Sequence, residues 1–563
     1  MLSRSILAYL AFAIYVGLSK HPACSGTHLQ QKTLDPSLAM VSSTLADQNA
    51  TRIIVSGKGV NKYPSKAHAR RVADRLGGKP PGVLLLEGQK KKNYSHSDQP
   101  RHFRQDRYFY YLSGCNEPDC YVTYDFRKDH LTLWLPKPES PRSIFYNGRG
   151  STPEEAMAKY DVDAAHYVDK ALQGLDGLFD VLRPTPRHPV WLLESAGTNA
   201  MREHLNECME INVGFSASME QALNACRTVK DEDEIALVRK ANQISSKAHL
   251  EVLKNLRQLK SEAEAEGRFL NVCVSAGAKE QAYGPIVGSG PNASILHYQA
   301  NNEAFDDRQV LLIDASCEWQ LYAADITRTM PLNPSKPGYW PSEEAEAIYK
   351  AVEEIQEACI RMLKPGTHFI DATWLADHMC IDALLKLGIL KGEHMEIFHQ
   401  GTVTAFFPHG LGHHLGLEVH DVAPTSSQAV PFDADKCLQA YTAFAERCSP
   451  QHRPLPGFGT HLEHLSLNPE LSFEPCTLES PPLEPGNIVT IEPGIYFNKF
   501  ILDEVFLRDP KHRRYIDLDV LKRYMPVGGV RIEDDILITK KGHENLTGAL
   551  KGEEMLAAIR GEK

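Results

Sequence analysis

Four apolar, β-patterned runs in this chain each carry a carboxylate at a position that a buried strand would fill with an apolar side chain. They are Val310 to Ser316 with Asp314, Tyr322 to Thr327 with Asp325, Ile488 to Gly494 with Glu492, and Gly529 to Ile536 with Glu533. Burying one carboxylate costs several kcal/mol unless it is paired or bound to a cation. The fold must therefore bring these groups to a common partner or give each its own. Taken singly, each has a structural alternative: Glu533 pairing with Arg531, or Glu492 capping a turn.

A second feature points to a common partner. The stretch from Phe407 to Asp421 places four histidines, His409, His413, His414 and His420, among three glycines. Glycine lets a backbone take φ above zero and approach a neighbour closely, so such a loop can hold imidazoles in fixed poses. Imidazole is the usual nitrogen ligand for a metal and the usual proton shuttle near neutral pH. A lone histidine is more often a satisfied core residue, but four in one glycine-punctuated loop reverse that expectation.

If the strands carrying Asp314 and Asp325 form a hairpin turning at Trp319 and Gln320, the two carboxylates face each other at about 5 Å and repel unless a cation lies between them. Four carboxylates and one neutral imidazole, His413, carry a formal charge of -4, which two divalent ions cancel. That arithmetic favours a two-metal site with ions about 3.5 to 4 Å apart. Oxygen ligands with one nitrogen and no thiolate suit manganese, with cobalt and zinc as alternatives.

The rest of the chain frames this centre. At 563 residues it is too long for one core, so two large domains are expected. Lys plus Arg number 61 against 72 for Asp plus Glu, which argues against a nucleic-acid partner. Twelve cysteines without paired CxxC spacing exclude a zinc ribbon. Residues 1–25, with Arg4, an apolar run from Ile6 to Leu18 and small Ala23 and Ser25, read as a signal peptide too short to span a bilayer. That implies the secretory pathway, with a cytoplasmic location as the alternative and no membrane partner; a polar leader fills 26–55.

An α/β domain is expected over 56–220. A helix from Ala67 to Leu76 is stopped by Gly77 and Gly78, β-runs cover 83–86, 108–112, 121–124, 131–135 and 190–193, and Glu154 to Tyr160 is helical. The aromatic-rich run Phe103 to Tyr111 reads as core strand.

The second domain, 228–552, opens on a capping box at Thr228 to Asp231 and a long helix with Ile235, Val238 and Ile244 on one face. Ser342 caps a helix through Ile348, Val352, Ile355, Cys359 and Met362 that Pro365 and Gly366 stop, and Ile370 to Leu387 forms the next. Helices alternating with β-rich runs suggest an α+β domain, helices packed on a curved antiparallel sheet. Residues 424–485 hold ten prolines and read as a loop insertion, with His461 and His464 as surface histidines.

These motifs together resemble the Xaa-Pro metallopeptidases of the pita-bread fold, aminopeptidase P and prolidase, and most closely the fungal Xaa-Pro aminopeptidases. The resemblance is carried by Leu311 to Ala315, Asp325 to Thr329, His409 to His413, Val419 to Asp421, Ile491 to Gly494 and Val530 to Asp535, and covers roughly residues 60 to 552. It implies that Asp314, Asp325, His413, Glu492 and Glu533 are the metal ligands, with Asp325 and Glu533 reaching both ions. It also implies that His297 contacts substrate and that His409 and His420 steady the tetrahedral intermediate and move protons. The implied activity is release of the N-terminal residue from peptides with proline second, by a two-metal activated hydroxide, in a homodimer.

Arg531 is read as a structural partner for Glu533 or a neighbouring carboxylate rather than a substrate contact. Some family members grip a substrate carboxylate with an arginine shortly before the Glu-Pro-Gly motif, where Ser466 to Pro482 holds none. That places an Xaa-Pro dipeptidase second to an aminopeptidase. A metal-free binding protein of the same fold is a remote alternative.

Overall fold

Runs that alternate between β-branched or aromatic stretches and amphipathic helices build two strand-and-helix halves that follow one another in the chain, the second opening on a long helix, Glu232–Asn255. The structure is a computed structural model. It describes residues 62–562 except 79, 139, 169–188, 194–212, 216, 424–433 and 455–479. The expected signal peptide and leader, His461 and His464, and nearly all of Ser466 to Pro482 lie outside the described residues. Everything described belongs to the unit Arg52–Lys563.

The first half is a six-stranded mixed sheet of β1 (Val83–Glu87), β2 (Tyr121–Asp125), β3 (His130–Pro136), β4 (Ala164–Val168), β5 (Val190–Leu192) and β6 (Val213–Phe215), in the order β4-β3-β2-β1-β5-β6. The Ser65–Arg75 helix ends where expected, with Gly77 and Gly78 at positive φ. The expected strand at 108–112 is instead a helix, Arg107–Ser113. Asp106 caps it by accepting from the Phe109 backbone N–H at 2.8 Å, and Gly114 ends it in the left-handed region. Local punctuation outweighs the β-preference of its aromatic residues.

The capping box of the Glu232–Asn255 helix is also displaced from its expected place. Asp231 is the N-cap and Glu234 closes the box, while Thr228 ends the preceding helix, Ala217–Thr228. The Glu343–Met362 helix begins at Ser342 as expected. The proline-rich segment is not all loop. Ala434–Cys448 is a helix whose Cys437, Tyr441, Phe444 and Ala445 are buried at helical spacing, with Tyr441 and Phe444 against Trp374 of the Phe369–Lys386 helix.

The strands of the second half form small antiparallel sheets joined edge to edge. β7 (Ile286–Ser289) and β11 (Thr327–Pro331) flank β8 (Val310–Asp314), while β9 (Glu318–Trp319) and β10 (Tyr322–Ala323) close the hairpin between β8 and β11. β12 (Ile488–Ile491) pairs with β15 (Asp534–Thr539), which pairs with β16 (Gly542–Asn545); β13 (Gly494–Tyr496) pairs with β14 (Gly529–Arg531). β11 meets the β14–β15 segment through the Glu533 N–H donating to the Thr327 carbonyl at 3.1 Å and the Thr329 hydroxyl donating to the Arg531 carbonyl at 2.9 Å.

The hairpin turns at Gln320 and Leu321, both at positive φ, one residue later than expected. Asp314 therefore faces Thr327 rather than Asp325. Because side chains alternate with period two, this displacement of two residues leaves Asp325 on the expected face, as a diagonal neighbour.

Arg328, fully buried on β11, ties these sheets to the C-terminal segment. Its guanidinium donates to the carbonyls of Thr327, Glu533, Leu550 and Ala549 and to Asp534 at 2.6 Å. Burial opposes ionisation of Asp534, but Arg328 and Lys551 hold its carboxyl down to about 2. Its folded value lies below the unfolded one, so its contribution is complete above about pH 4 and is lost as pH falls through about 2. Arg328→Met should cost about 3–5 kcal/mol by removing one of the two cations on buried Asp534 and leaving four carbonyls without their donor, read as a lower unfolding free energy in urea at pH 7. An unfolding free energy within 1 kcal/mol of wild type would show that Lys551 alone suffices.

Candidate metal centre

The glycine-rich loop lies along β12 as an additional strand. The Thr490 N–H donates to the His413 carbonyl at 2.9 Å, the His413 N–H to Thr490 Oγ1 at 3.0 Å, and the Leu415 N–H to the Ile488 carbonyl at 3.0 Å. A Cβ on Gly412 would sit 2.1 Å from the Thr490 carbonyl oxygen, and one on Gly416 2.3 Å from Asp421 Oδ2. Neither glycine, nor Gly410, is at positive φ. The glycines expected to bend the loop are needed for close approach, which carries His413 into the sheet beside Glu492.

All eight residues singled out in the sequence, His297, Asp314, Asp325, His409, His413, His420, Glu492 and Glu533, line one cavity of about 580 Å³. Asp325, His413 and Glu533 are buried and offer ligand atoms within 4.8 Å of one another. His413 Nε2 stands 3.2 Å from Glu492 Oε1 and 3.5 Å from Asp325 Oδ2, while its Nδ1 bonds the His414 carbonyl at 3.0 Å. A proton on Nδ1 satisfies that carbonyl and leaves the Nε2 lone pair aimed at two carboxylates. His420 packs edge-on against His413, ring centroids 4.3 Å apart, and is exposed, as is His297. His409 bonds the Tyr496 hydroxyl through Nε2 at 2.8 Å.

Neighbours hold these carboxylates in place. Arg531 donates to Asp314 Oδ2 at 2.6 Å, to the Tyr496 hydroxyl at 3.0 Å and to Thr327 Oγ1 at 3.1 Å. It pairs with Asp314 and not with Glu533, which settles the sequence-level alternative. Glu533 instead accepts from the Thr327 hydroxyl through Oε2 at 2.6 Å. The Thr490 hydroxyl stands 3.1 Å from Glu492 Oε1, and the Asp325 N–H donates to Asp535 at 3.0 Å.

Tyr283, Thr490 and Tyr496 carry no signal in the sequence that marks them, and Thr327 is marked only as part of the Asp325 to Thr329 motif. Tyr283 is the most consequential, since its hydroxyl reaches both Asp314 Oδ1 and Asp325 Oδ1, the latter at 2.6 Å, with one proton to give.

The electrostatics show excess negative charge. Burial, followed by the carboxylates of Asp325, Glu492 and Asp314, pushes Glu533 well above the usual carboxylate range, and burial with Asp314 raises Asp325 to about 6. Burial opposes charge on His413, but Asp325 and Glu492 raise it well above an ordinary histidine. Against burial, His413 and His409 hold Glu492 down to about 2. Glu533 Oε1 is buried without a hydrogen-bond partner. Four carboxylates converging on one imidazole, with Arg531 the one permanent cation lining the cavity among the described residues, form a donor set that fits hard divalent cations.

Such a centre, embedded in antiparallel sheet and wrapped by helices, defines a metal-dependent hydrolase. The chain belongs to metallopeptidase family M24, whose profile matches residues 236–540, and residues 66–182 match the aminopeptidase P N-terminal domain. Its second half is the pita-bread fold of that family, and membership implies divalent-metal binding.

The chain is 47% identical over 510 residues to a probable Xaa-Pro aminopeptidase of Pyrenophora tritici-repentis, covering 89% of this chain and 72% of that one. It is 46% identical over 514 residues to one of Aspergillus clavatus, covering 90% and 95%. Among solved structures, aminopeptidase P from E. coli with the inhibitor Pro-Leu superposes with a TM-score of 0.67 at 26% identity, covering 89% of this chain and 99% of that one.

Adding a divalent cation to chelator-stripped protein should raise its melting temperature, with about 2.7 kcal/mol of stabilisation at a hundredfold excess over Kd. Glu533→Ala should stay folded and lose most of that shift. An equal shift in both proteins would place the bound cation elsewhere.

Proposed function

We propose that this chain is a metal-dependent aminopeptidase that releases the N-terminal residue from peptides with proline second. The observation that carries the reading is the gathering of four carboxylates and four histidines from distant segments around one cavity, in a chain whose relatives are named Xaa-Pro aminopeptidases. Asp314, Asp325, His413, Glu492 and Glu533 are the proposed ligands of two divalent ions per subunit, with manganese the metal best suited to this donor set. When bound, the ions supply Lewis acidity and a nucleophile at neutral pH.

The protein's own groups do the rest. Arg531 and Thr327 each take one oxygen of Asp314 and Glu533, which fixes how the remaining oxygens face the cavity. His414 fixes the His413 ring through its carbonyl. His409, steadied by Tyr496, and His297 and His420, exposed on the cavity wall, are placed to contact the substrate.

A bond to proline nitrogen offers no N–H, so a site reading substrate through that donor would reject it. Departure of that nitrogen requires a proton, which we assign to a neighbouring histidine or to Glu492, the latter, ionised at rest, having first to accept one from the attacking water. The reading of an aminopeptidase over a dipeptidase is supported by Arg531, the one arginine lining the cavity among the described residues. Each of its three nitrogens already donates, to Thr327, Tyr496 and Asp314, and the side chain is buried, which disfavours its use as the grip for a dipeptide carboxylate.

We also propose export, from the apolar run Ile6 to Leu18; a soluble cellular protein still beginning at Met1 would overturn that part.

With manganese added, the chain should release the first residue of an Xaa-Pro-Yaa tripeptide faster than that of an Xaa-Pro dipeptide, and chelation should abolish both. His420→Ala should lower kcat about 10²- to 10⁴-fold with metal content unchanged. A faster dipeptide reaction would make the chain a dipeptidase, and cleavage that survives chelation would refute the metal assignment.

A further inference from the structure

Half-buried Val419 and exposed His420 lie on the wall of the catalytic cavity. The next residue, Glu418, has its carboxylate held by Arg104 and Arg107 of the N-terminal domain. Both arginines also bind Glu318, and His102 binds Glu280, three residues before Tyr283, at 2.7 Å. This seam joins the two halves of the chain at the edge of the catalytic cavity, with its glutamates already paired.

The same segment, His102 to Arg104, lines a second cavity of about 1070 Å³ on the N-terminal domain. Its wall carries Lys90, Lys91, Lys92, Arg101, Arg104 and Arg142, and one acidic residue, Asp98. Six permanent cations against one carboxylate are unusual in a chain with a net charge of -11. Lys90 has Glu87 at 3.0 Å and Arg104 its two glutamates, but Lys91, Lys92, Arg101 and Arg142 have no ion pair among the described residues. Two of these stand over exposed rings instead, Arg101 5.7 Å from Tyr94 and Arg142 5.9 Å from Tyr146. A concave surface of one sign concentrates field and raises the local concentration of oppositely charged ligand. Aromatic rims add apolar contact for a flexible chain.

We propose that this basic cavity is a distal subsite for the acidic downstream part of a peptide whose N-terminus lies in the catalytic cavity. It makes the enzyme prefer long substrates with Glu or Asp beyond the first few residues. The inference rests on the proposed peptidase activity for its catalytic consequence, and on the charge and position of the cavity for the binding itself.

The test compares the manganese-loaded full chain on an Xaa-Pro-Yaa tripeptide and on two longer Xaa-Pro peptides of equal length, with Glu-rich or Gln-rich tails. The Glu-tailed peptide should have kcat/KM about tenfold above the Gln-tailed one through KM, with the difference shrinking as salt is raised. The triple variant Lys91→Glu, Lys92→Glu, Arg101→Glu should abolish or invert the preference while leaving the tripeptide unchanged within twofold. Equal kcat/KM for both tails in the wild type, or a preference that survives charge reversal, overturns the proposal.

If even the tripeptide is not cleaved, the activity reading fails separately. Fluorescence anisotropy of the labelled Glu-tailed peptide then reads the subsite directly. Binding weakened about tenfold by the triple variant supports it, and binding unchanged by the variant, or no stronger than that of the Gln-tailed peptide, refutes it.

Discussion

Mutual repulsion among buried carboxylates is the constraint on which the second half of this molecule depends. Asp314, Asp325, Glu492 and Glu533 reach one cavity from segments up to 219 residues apart, and burial alone would push Asp325, Glu492 and Glu533 towards their neutral forms. The chain answers with an arginine, a threonine hydroxyl and a tyrosine hydroxyl, each satisfying some oxygens, and of these only the arginine offsets charge, by one unit. One glutamate oxygen is left with no partner at all. A site of this kind is destabilising as a piece of folded protein and becomes favourable with cations between its oxygens, so the metal chemistry and the strained electrostatics are one property.

Around that centre buried ion pairs and hydrogen bonds brace the scaffold. Arg328 binds four carbonyls and Asp534, fixing β11 against β15 one residue from Glu533. Asp421, at the end of the histidine loop, takes Arg227 at 2.7 Å and Lys230 at 3.0 Å, all three buried. Gly412 lets His413 enter the sheet. The N-terminal domain is tied to the loop beside the cavity by Arg104 and Arg107, which pair with Glu418 and Glu318. Rigid elements thus hold the buried carboxylates and His413, while His297 and His420 are exposed on the cavity wall.

Much of this was legible in the sequence because its signals are local. The serine cap and four-and-three spacing of the Glu343–Met362 helix, the paired glycines after Arg75 and the single carboxylates in apolar strand runs each act over a few residues. Errors arose where local preference and context diverged. Aromatic Arg107–Ser113 looked like strand, but Asp106 and Gly114 enclose it as a helix. The helix Ala434–Cys448 was hidden by the prolines around it. The hairpin centre was misplaced by one residue on a symmetric apolar pattern. The face of Asp325 nevertheless survived, since a shift of two residues in pairing returns every side chain to the same side.

The sequence by itself determined which residues are candidates for the centre: ligand chemistry depends on residue type, and the strand pattern fixes which face each carboxylate presents. Only the tertiary structure decided how those residues are held. Tyr283 between Asp314 and Asp325, Thr327 on Glu533, Tyr496 on His409, and Arg531 on Asp314 rather than Glu533 are contacts between segments remote in sequence. Nothing in their local patterns marks them, because a hydrogen bond across a fold is set by the approach of two backbones and not by the run of residues on either one.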